Sequence, residues 1–332
     1  VNGLEHGKIL VTGGAGFIGS SLIWGLNRLG LQDILVCDLL GEDEKWRNLA
    51  PLQFDDYISS AKLIKSVETD STALNEIRWV FHLGACSATT EPDVGYLMEN
   101  NYRYTRILCE WALPRSARFV YASSAATYGD GANGMMDDED KIESLRPLNA
   151  YGYSKHIFDQ YAKRRGLFSR IVGLKYFNVF GPNEWHKGDM RSLVNKAYDQ
   201  VVETGKIGLF KSYKPPFKDG EQKRDFLYVK DAVAMTMHLA VTRGANGLFN
   251  LGSGEARTWL DLANVVFTAL SRPAQIEFIE MPDSIRDKYQ YFTQTNIGKL
   301  RATGYAGPEF TLEQAVTDYV QNYLVPHRHL EV

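Results

Sequence analysis

The sequence predicts an α/β protein, a doubly wound parallel sheet with a smaller α/β lobe whose segments are interleaved with it. Short apolar runs of strand length alternate with segments of helical period through the first half of the chain, the pattern of parallel strands covered on both faces. A glycine triplet stands between the first such run and the first helix, at the edge where doubly wound sheets bind ligands. At 332 residues the chain exceeds the roughly 250–300 over which a single hydrophobic core grows, so a second lobe is expected.

Lys8-Ile9-Leu10-Val11-Thr12 reads as the first strand. From Gly16 to Leu29 apolar residues recur at helical spacing and place Phe17, Ile18, Leu22, Ile23, Leu26 and Leu29 inward. Further buried strands are expected at Ile34–Cys37, stopping at Asp38, and at Trp79–Leu83, Phe119–Ser123 and Ile171–Tyr176. After Asn178 the alternation gives way to a stretch punctuated by glycine and proline, from Gly181-Pro182 to Pro215-Pro216, around one amphipathic helix over about Arg191–Glu203. Strands return at Asp225–Val229 and Gly247–Leu251, each leading into a helix. The resulting division is a sheet domain over 5–177 and 225–250 and a second lobe over 178–224 and 251–330.

Composition narrows the function. A hydrophobic fraction of 44 % with 23 % charged residues matches a globular protein, not a disordered one. Lys+Arg of 37 against Asp+Glu of 40 leaves a net charge of -3 and no overall basic field, which argues against nucleic acid and membrane partners. Cys37, Cys86 and Cys109 show no CxxC spacing and read as buried small hydrophobes in a reducing compartment, with no metal site implied. No apolar run reaches the ~20 residues of a membrane span or the core of a signal peptide, so the cytoplasm is the expected location.

The chemistry begins at Gly13, Gly16 and Gly19. Missing side chains there let the backbone turn tightly and approach a pyrophosphate, while the following helix aims its first N–H groups at the anion. A ligand-free glycine turn is the bland alternative. Asp38, about 20 residues on at a strand end, is where a ribose hydroxyl would lie, and the pair indicates a Rossmann-like dinucleotide site.

Tyr151-Gly-Tyr-Ser-Lys155 opens a helical segment and sets Tyr151 and Lys155 one turn apart on one face. A lysine cation there is expected to lower the phenol's pKa, so that tyrosine exchanges a proton with a substrate hydroxyl as hydride moves to or from a nicotinamide. Ser124 follows a strand and offers a hydroxyl at the sheet's carboxyl edge. Alone, a Tyr-x-x-x-Lys is a surface pair; with the glycine turn and the serine strand it becomes a redox constellation. His82 reads as a packed or cofactor-adjacent histidine, and Trp24, Trp111 and Trp259 as core.

These three elements, in this order, resemble the extended short-chain dehydrogenase/reductase superfamily, whose members modify nucleotide-linked sugars. A closer likeness, to the ADP-heptose 6-epimerase family, is carried by His82–Ser87 with Thr89-Thr90-Glu91, Tyr121–Gly129, Tyr176–Pro182, His186-Lys187-Gly188, Lys223–Phe226 and Tyr289–Gln294, and spans about Lys8 to Tyr323. A UDP-galactose 4-epimerase would share the turn, the serine and Tyr-x-x-x-Lys but not obviously the Lys187 loop or the Tyr289 segment. It is the alternative enzyme. A 4,6-dehydratase would need a carboxylate where Ala125-Ala126-Thr127 stands, and an idle nucleotide sensor would be expected to lack Tyr151 or Lys155.

The resemblance implies a catalytic set of Ser124, Tyr151, Lys155 and Lys187, with Lys187 as a second acid/base. Such a group is chemically attractive because inverting C6 turns the reacting oxygen toward the other side of the pocket. It implies cofactor contacts from Gly13, Gly16, Phe17, Ile18, Gly19, Asp38, Leu39, Lys45, Leu83, Gly84, Ala85, Asn100, Lys155 and Val179. Substrate contacts would come from Ser124, Asn178, Lys187, Asp189, Lys196, the run Phe210, Lys211, Ser212 and Tyr213, and from Arg224 and Tyr289. Asp189 replaces a small hydroxyl residue of the family and Lys196 a histidine. An ADP-heptose substrate and a homo-oligomer, pentameric in the best-known members, are also implied. Local residues divide on the cofactor, since Asp38 suits NAD while Lys45 and Arg47 suit a 2′-phosphate. The resemblance selects NADP, although Leu39 replaces a polar residue and Ser60 stands near where a second phosphate-binding lysine is expected, with Lys62 close by.

Overall fold

The computed structural model describes residues 3–286 and 289–332. Its first half alternates strand and helix: β1 Lys8–Thr12, α1 Phe17–Asn27, β2 Ile34–Asp38, β3 Asp56–Ser59, α2 Ser60–Glu68 and β4 Ile77–His82. Next come α3 Val94–Leu97, which widens through a π-helical turn into α4 Tyr104–Ala112, then β5 Arg118–Ser124, α5 Ala150–Arg164 and β6 Ile171–Tyr176. The remainder runs β7 Asn178–Phe180, α6 Leu193–Thr204, β8 Ile207–Phe210, β9 Lys223–Tyr228, α7 Val229–Val241, β10 Gly247–Leu251 and β11 Ala256–Thr258. It closes with α8 Trp259–Ala269, β12 Ile276–Ile279, α9 Asp283–Arg286, α10 Gly298–Ala302 and α11 Leu312–Tyr319.

Seven parallel strands form the central sheet in the order β10-β6-β5-β4-β1-β2-β3. The order reverses between β1 and β4, which opens a crevice at the strands' carboxyl ends. Every residue of β2, β6 and β10 is buried, which is why those strands are predominantly apolar instead of alternating, and why their polar members, Asp38, Lys175 and Asn250, are all hydrogen-bonded. Separate apolar clusters cover the two faces, one containing Ile9, Val11, Leu22, Phe249 and the inward side of α7, the other Leu10, Leu108, Phe119 and Phe158. Leu29, expected on the inward face of α1, is 47 % exposed, because the helix stops at Asn27 and Gly30, at φ +79°, turns the chain away.

β9 departs from the expected division. The strand pairs with β7 and β11 in a three-stranded sheet outside the central one, although 225–250 was assigned to the sheet domain. The cause lies in its side chains. Both oxygens of the buried Asp225 are used by the 253–295 region: Oδ1 accepts from Ser253 N (2.6 Å) and Ser253 Oγ (2.8 Å), and Oδ2 from Gly254 N (3.0 Å) and Thr295 N (2.9 Å). Only after β9 does the chain rejoin the main body, through α7 and β10. A third apolar cluster under α6, α8 and α11 forms the core of the smaller lobe, to which the parallel pair β8–β12 belongs.

Candidate active site

A cleft of about 990 Å³ opens at the carboxyl ends of β1, β2 and β4. Gly13, Gly16, Phe17, Ile18 and Gly19 form its floor. Gly16 caps α1 without any side-chain hydrogen bond, and no acidic residue occupies the first turn, so the helix's leading N–H groups face the cleft with nothing of the protein's own to neutralise them. A Cβ on Gly19 would lie 2.0 Å from the Gly13 carbonyl oxygen, so the turn closes only around glycine. This is a cradle suited to a diphosphate. Asp38 accepts from Ala15 N (2.9 Å) and Leu39 N (2.7 Å), which fixes its carboxylate at the end of β2. Lys45, expected to meet a 2′-phosphate, lines the cleft with its ammonium 3.0 Å from Asp38 Oδ1. Leu39, Leu83, Gly84, Ala85 and Asn100 line it as well. Val179 does not; it packs between the sheet-face cluster under α7 and the apolar cluster of the smaller lobe.

Ser124, Tyr151 and Lys155 meet behind this cleft. Ser124 ends β5, and Asn149 caps α5 through Gly152 N (2.8 Å), which starts the helix so that Tyr151 and Lys155 share its inward face. Burial raises the Tyr151 phenol above its ordinary pKa, and a hydrogen bond with Ser124 only partly offsets this. The sequence reading, in which Lys155 depresses the phenol, is thereby corrected: desolvation of the phenolate outweighs any help from the lysine. Lys155 is itself lowered from 10.5 to about 8 by burial, with Asp159 opposing, and its ammonium donates to the Ala122 carbonyl at 2.8 Å. One helical turn on, Asp159 belongs to a closed polar network. It pairs with Lys175 (2.7 Å) and accepts from Tyr121 Oη and Ser123 Oγ (2.8 Å each), while Lys175 also donates to Thr127 Oγ1 (2.6 Å). Thr127 in turn donates to the Ser124 carbonyl at 2.8 Å, which fixes the serine's backbone.

Lys187 enters from the loop after β7. Its ammonium sits over the Phe17 ring at 5.2 Å and its side chain lines the dinucleotide cleft. Burial lowers its pKa, while Glu184 raises it and Lys196 lowers it further. Asp189 is exposed, and Lys196 is half-buried on α6. Asn178 lies at the start of β7, where its Oδ1 accepts from Thr293 Oγ1 at 3.4 Å.

Farther out, Arg224 is 6 % exposed with its guanidinium over two rings, Trp259 at 5.5 Å and Tyr289 at 5.0 Å. Trp259 Nε1 donates to Tyr289 Oη (2.8 Å), and Phe210 meets Tyr289 edge-on. Arg224 donates to the Lys223 carbonyl at 2.9 Å, and among the described residues no carboxylate forms an ion pair with it. A buried guanidinium in an aromatic frame suits an anionic ligand. Trp259, read from sequence as core, is half-buried and belongs to this frame. Lys211 and Tyr213 both bond Glu280, and Ser212 N donates to Asp219 Oδ1 (2.7 Å), so the run after β8 is held by carboxylates of its own lobe.

Ser60, read from sequence as standing near the expected phosphate contact, lines the cleft at the start of α2; the sequence reading missed its neighbour Ala61, and Cys86 and Met190, which line it too. Cys86 is also a correction, being only partly buried, unlike Cys37 and Cys109. Ser59-Ser60 before an apolar helical pattern was the available signal for α2. His82 matches its reading: both ring nitrogens are engaged, Nδ1 by Thr12 Oγ1 (2.7 Å) and Nε2 by Thr105 Oγ1 (2.9 Å). Among the described residues no cluster of metal-ligating side chains occurs, and no helix is long and apolar enough to cross a membrane.

Residues 9–252 match the NAD dependent epimerase/dehydratase family. The chain is 50 % identical over 325 residues to the ADP-L-glycero-D-manno-heptose-6-epimerase of Nitratidesulfovibrio vulgaris strain Hildenborough, covering 96 % of this chain and 99 % of that one. It is 45 % identical to the enzyme of the same name from Fusobacterium nucleatum, with 95 % and 98 % covered. Among solved structures, the crystal structure of Helicobacter pylori ADP-L-glycero-D-manno-heptose-6-epimerase superposes with a TM-score of 0.78 at 27 % identity and covers 96 % of each chain.

Proposed function

That this chain belongs to the NAD dependent epimerase/dehydratase family is the premise from which we propose that it interconverts ADP-D-glycero-D-manno-heptose and ADP-L-glycero-D-manno-heptose, by transient oxidation and re-reduction at C6 with a bound NADP. The observation that carries the reading is that Lys187, half-buried, lines the same cleft as the glycine turn and as Ala122, whose carbonyl takes the hydrogen bond of Lys155 in the Ser124–Tyr151–Lys155 set.

The cradle at Gly13–Gly19 and Asp38 would hold the dinucleotide, which when bound would accept and return hydride and contribute the positive charge of its oxidised form to the pocket. As hydride leaves C6, Tyr151 in its phenolate form takes the hydroxyl proton of one epimer, and as the phenol it returns that proton when hydride comes back, with the Ser124 hydroxyl steadying the oxygen; burial opposes the phenolate, so the positive charge of an oxidised cofactor would supply the compensation. Lys155 holds the nicotinamide ribose and supplies the nearby cation. Presenting the other face of the 6-keto sugar requires rotation about C5–C6, after which the oxygen points away from Tyr151. Lys187 then handles the proton. Burial brings its amine nearer to the pH at which it both gives and takes one. Arg224, with Tyr289 and the Phe210–Tyr213 run, takes the ADP diphosphate and its nucleoside, while Asn178, Lys196 and Asp189 face the sugar.

NADP over NAD turns on Lys45. Paired with Asp38, it cancels the carboxylate's repulsion of a 2′-phosphate, and the start of α2 adds helix N–H groups at the same cleft. The same reading includes a cytoplasmic homo-oligomer, and keeps 178–224 and 251–330 as the part that holds substrate, with β9 added to it.

Purified protein mixed with ADP-D-glycero-D-manno-heptose and followed by NMR at C6 is expected to produce the L-glycero epimer without added oxidant. Stoichiometric release of NADPH, or no inversion, would reject the assignment. Lys45→Ala should weaken NADP binding selectively; equal losses for NADP and NAD would reject the cofactor choice.

A further inference from the structure

Glu184 is fully buried, yet no described cation lies within ion-pair distance of it. It sits three residues before Lys187, whose backbone N–H closes the turn on the Glu184 carbonyl at 3.0 Å. Its carboxylate gathers the segments that build this corner of the site. Oε2 accepts from Ser192 N (2.6 Å), and Oε1 from Ser192 Oγ (2.6 Å) and, at 3.4 Å, from Gly181 N. One carboxylate thus ties the end of β7, the Lys187 turn and the cap of α6 together. Burying an acid at such a junction is costly unless its charge is used.

We propose that Glu184 is a positioning residue for the second proton-transfer group: its buried carboxylate, bonded to Gly181 and Ser192, orients the Lys187 turn toward the cleft and sets the balance between the amine that takes a proton and the ammonium that returns it. This rests on the reading of Lys187 as the second acid/base. The groups facing the pair are few. Lys196 on α6 opposes the charge on Lys187, and the Phe17 ring on α1 supports it. On the side of Glu184, the Tyr319 hydroxyl from α11 and Arg191 complete the surroundings. His186, next in the turn, is held at about 4 by burial and is neutral at working pH. Burial raises the Glu184 carboxyl, while Lys187 and its hydrogen bonds favour the ionised form. With the carboxylate removed, burial and Lys196 act on Lys187 unopposed, so the amine loses its proton at lower pH.

The proton then follows a balanced course. As hydride leaves C6, the hydroxyl proton of one epimer passes to the neutral Lys187 amine, and on return the ammonium gives a proton back to the C6 oxygen. Glu184 forms no bond to substrate.

The test compares the parent with Glu184→Gln, Glu184→Asp and Lys187→Met. In protein without substrate, acylation of Lys187 by a small amine-reactive ester, read by peptide mass spectrometry against pH, reports the neutral amine. Its midpoint should fall by about one pH unit in Glu184→Gln, a roughly tenfold faster acylation on the acid side, and stay near the parent's in Glu184→Asp. Mixing each epimer separately and following nicotinamide absorbance reads the two half-reactions. The half-reaction begun by Lys187 should show its acid limb displaced by the same amount, and the one begun by Tyr151 is the control for a folded site. An unmoved midpoint in Glu184→Gln, or equal loss of both half-reactions, overturns the proposal, the latter because it shows a carboxylate that the whole site, and not the Lys187 turn alone, needs in order to form. If Lys187→Met keeps both half-reactions at parental rates, the reading of Lys187 itself falls.

Discussion

Lys155 is held against its own preference for water. Its ammonium has one protein acceptor, the Ala122 carbonyl, and burial lowers its pKa from 10.5 to about 8. The sign of the consequence follows from proton binding. Between those values the unfolded chain holds a proton that the folded one has released, so stability rises with pH across the window, and below about 8 the whole penalty is present. In cofactor-free protein Lys155→Met removes a cost on the order of 3 kcal/mol at pH 7, against about 1 kcal/mol for the lost hydrogen bond. The variant should therefore resist denaturant better than the parent at pH 7, with the difference shrinking by pH 10, while binding of dinucleotide and epimerisation collapse. A difference that does not change with pH would contradict this account. Tyr151, Lys155 and Ser124 were legible in the sequence because a helical turn and a strand end fix their spacing locally. The direction of the Tyr151 shift was not legible, since it depends on how much water the surrounding lobes exclude.

The glycine turn and α1 act as one element. Gly13 to Gly19 fold back so closely that a methyl group at position 19 would overlap the Gly13 carbonyl. Gly19→Ala is expected to yield folded protein, by circular dichroism, that purifies without dinucleotide and shows no epimerisation; retention of stoichiometric cofactor would show that the turn has slack. Helix α1 also carries Gly25, where a Cβ would come within 2.5 Å of Val233 on α7, so the two helices touch backbone to side chain. Parallel strands of the central sheet announce themselves because burial on both faces leaves no polar alternation, and β1, β2, β4, β5, β6 and β10 all fall where apolar runs stand. β9, apolar over Phe226–Tyr228 after the charged Lys223–Asp225, joins another sheet. Sheet membership is decided by distant partners, here Ser253, Gly254 and Thr295 around Asp225, and no local pattern records them. Trp259 escaped for the same reason, its role resting on Arg224 across a strand pair.

Taken whole, the molecule joins its two lobes by short, stiff connections. Only Phe177 separates β6 of the central sheet from β7 of the small one, and β9 passes without a break into α7. The C-terminal segment adds a clasp, with Leu330 N donating to Asn183 Oδ1 (2.9 Å), Trp24 Nε1 to the Glu331 carbonyl (3.1 Å), and His329 Nδ1 bonded to Asn48 Oδ1 (2.9 Å), while Asn48 Nδ2 itself donates to the carbonyls of Ala15 (2.9 Å) and Asn183 (3.0 Å). Small-angle scattering of the cofactor-bound protein should therefore give the same radius of gyration with and without ADP-heptose, and a marked contraction on adding the sugar nucleotide would reveal a hinge these connections do not suggest. The junction of β9 with α7 has a further consequence. The strand that carries Arg224 and the helix that presses on α1 are one unbroken stretch, Lys223 to Val241, with the buried guanidinium near one end and, at Val233, contact with the helix that leaves the glycine turn. On the proposed reading, a sugar nucleotide gripped at the outer end and a dinucleotide seated at the inner end would be kept at one fixed spacing by this single stretch of chain, so that the first could be exchanged without the second having to leave its berth.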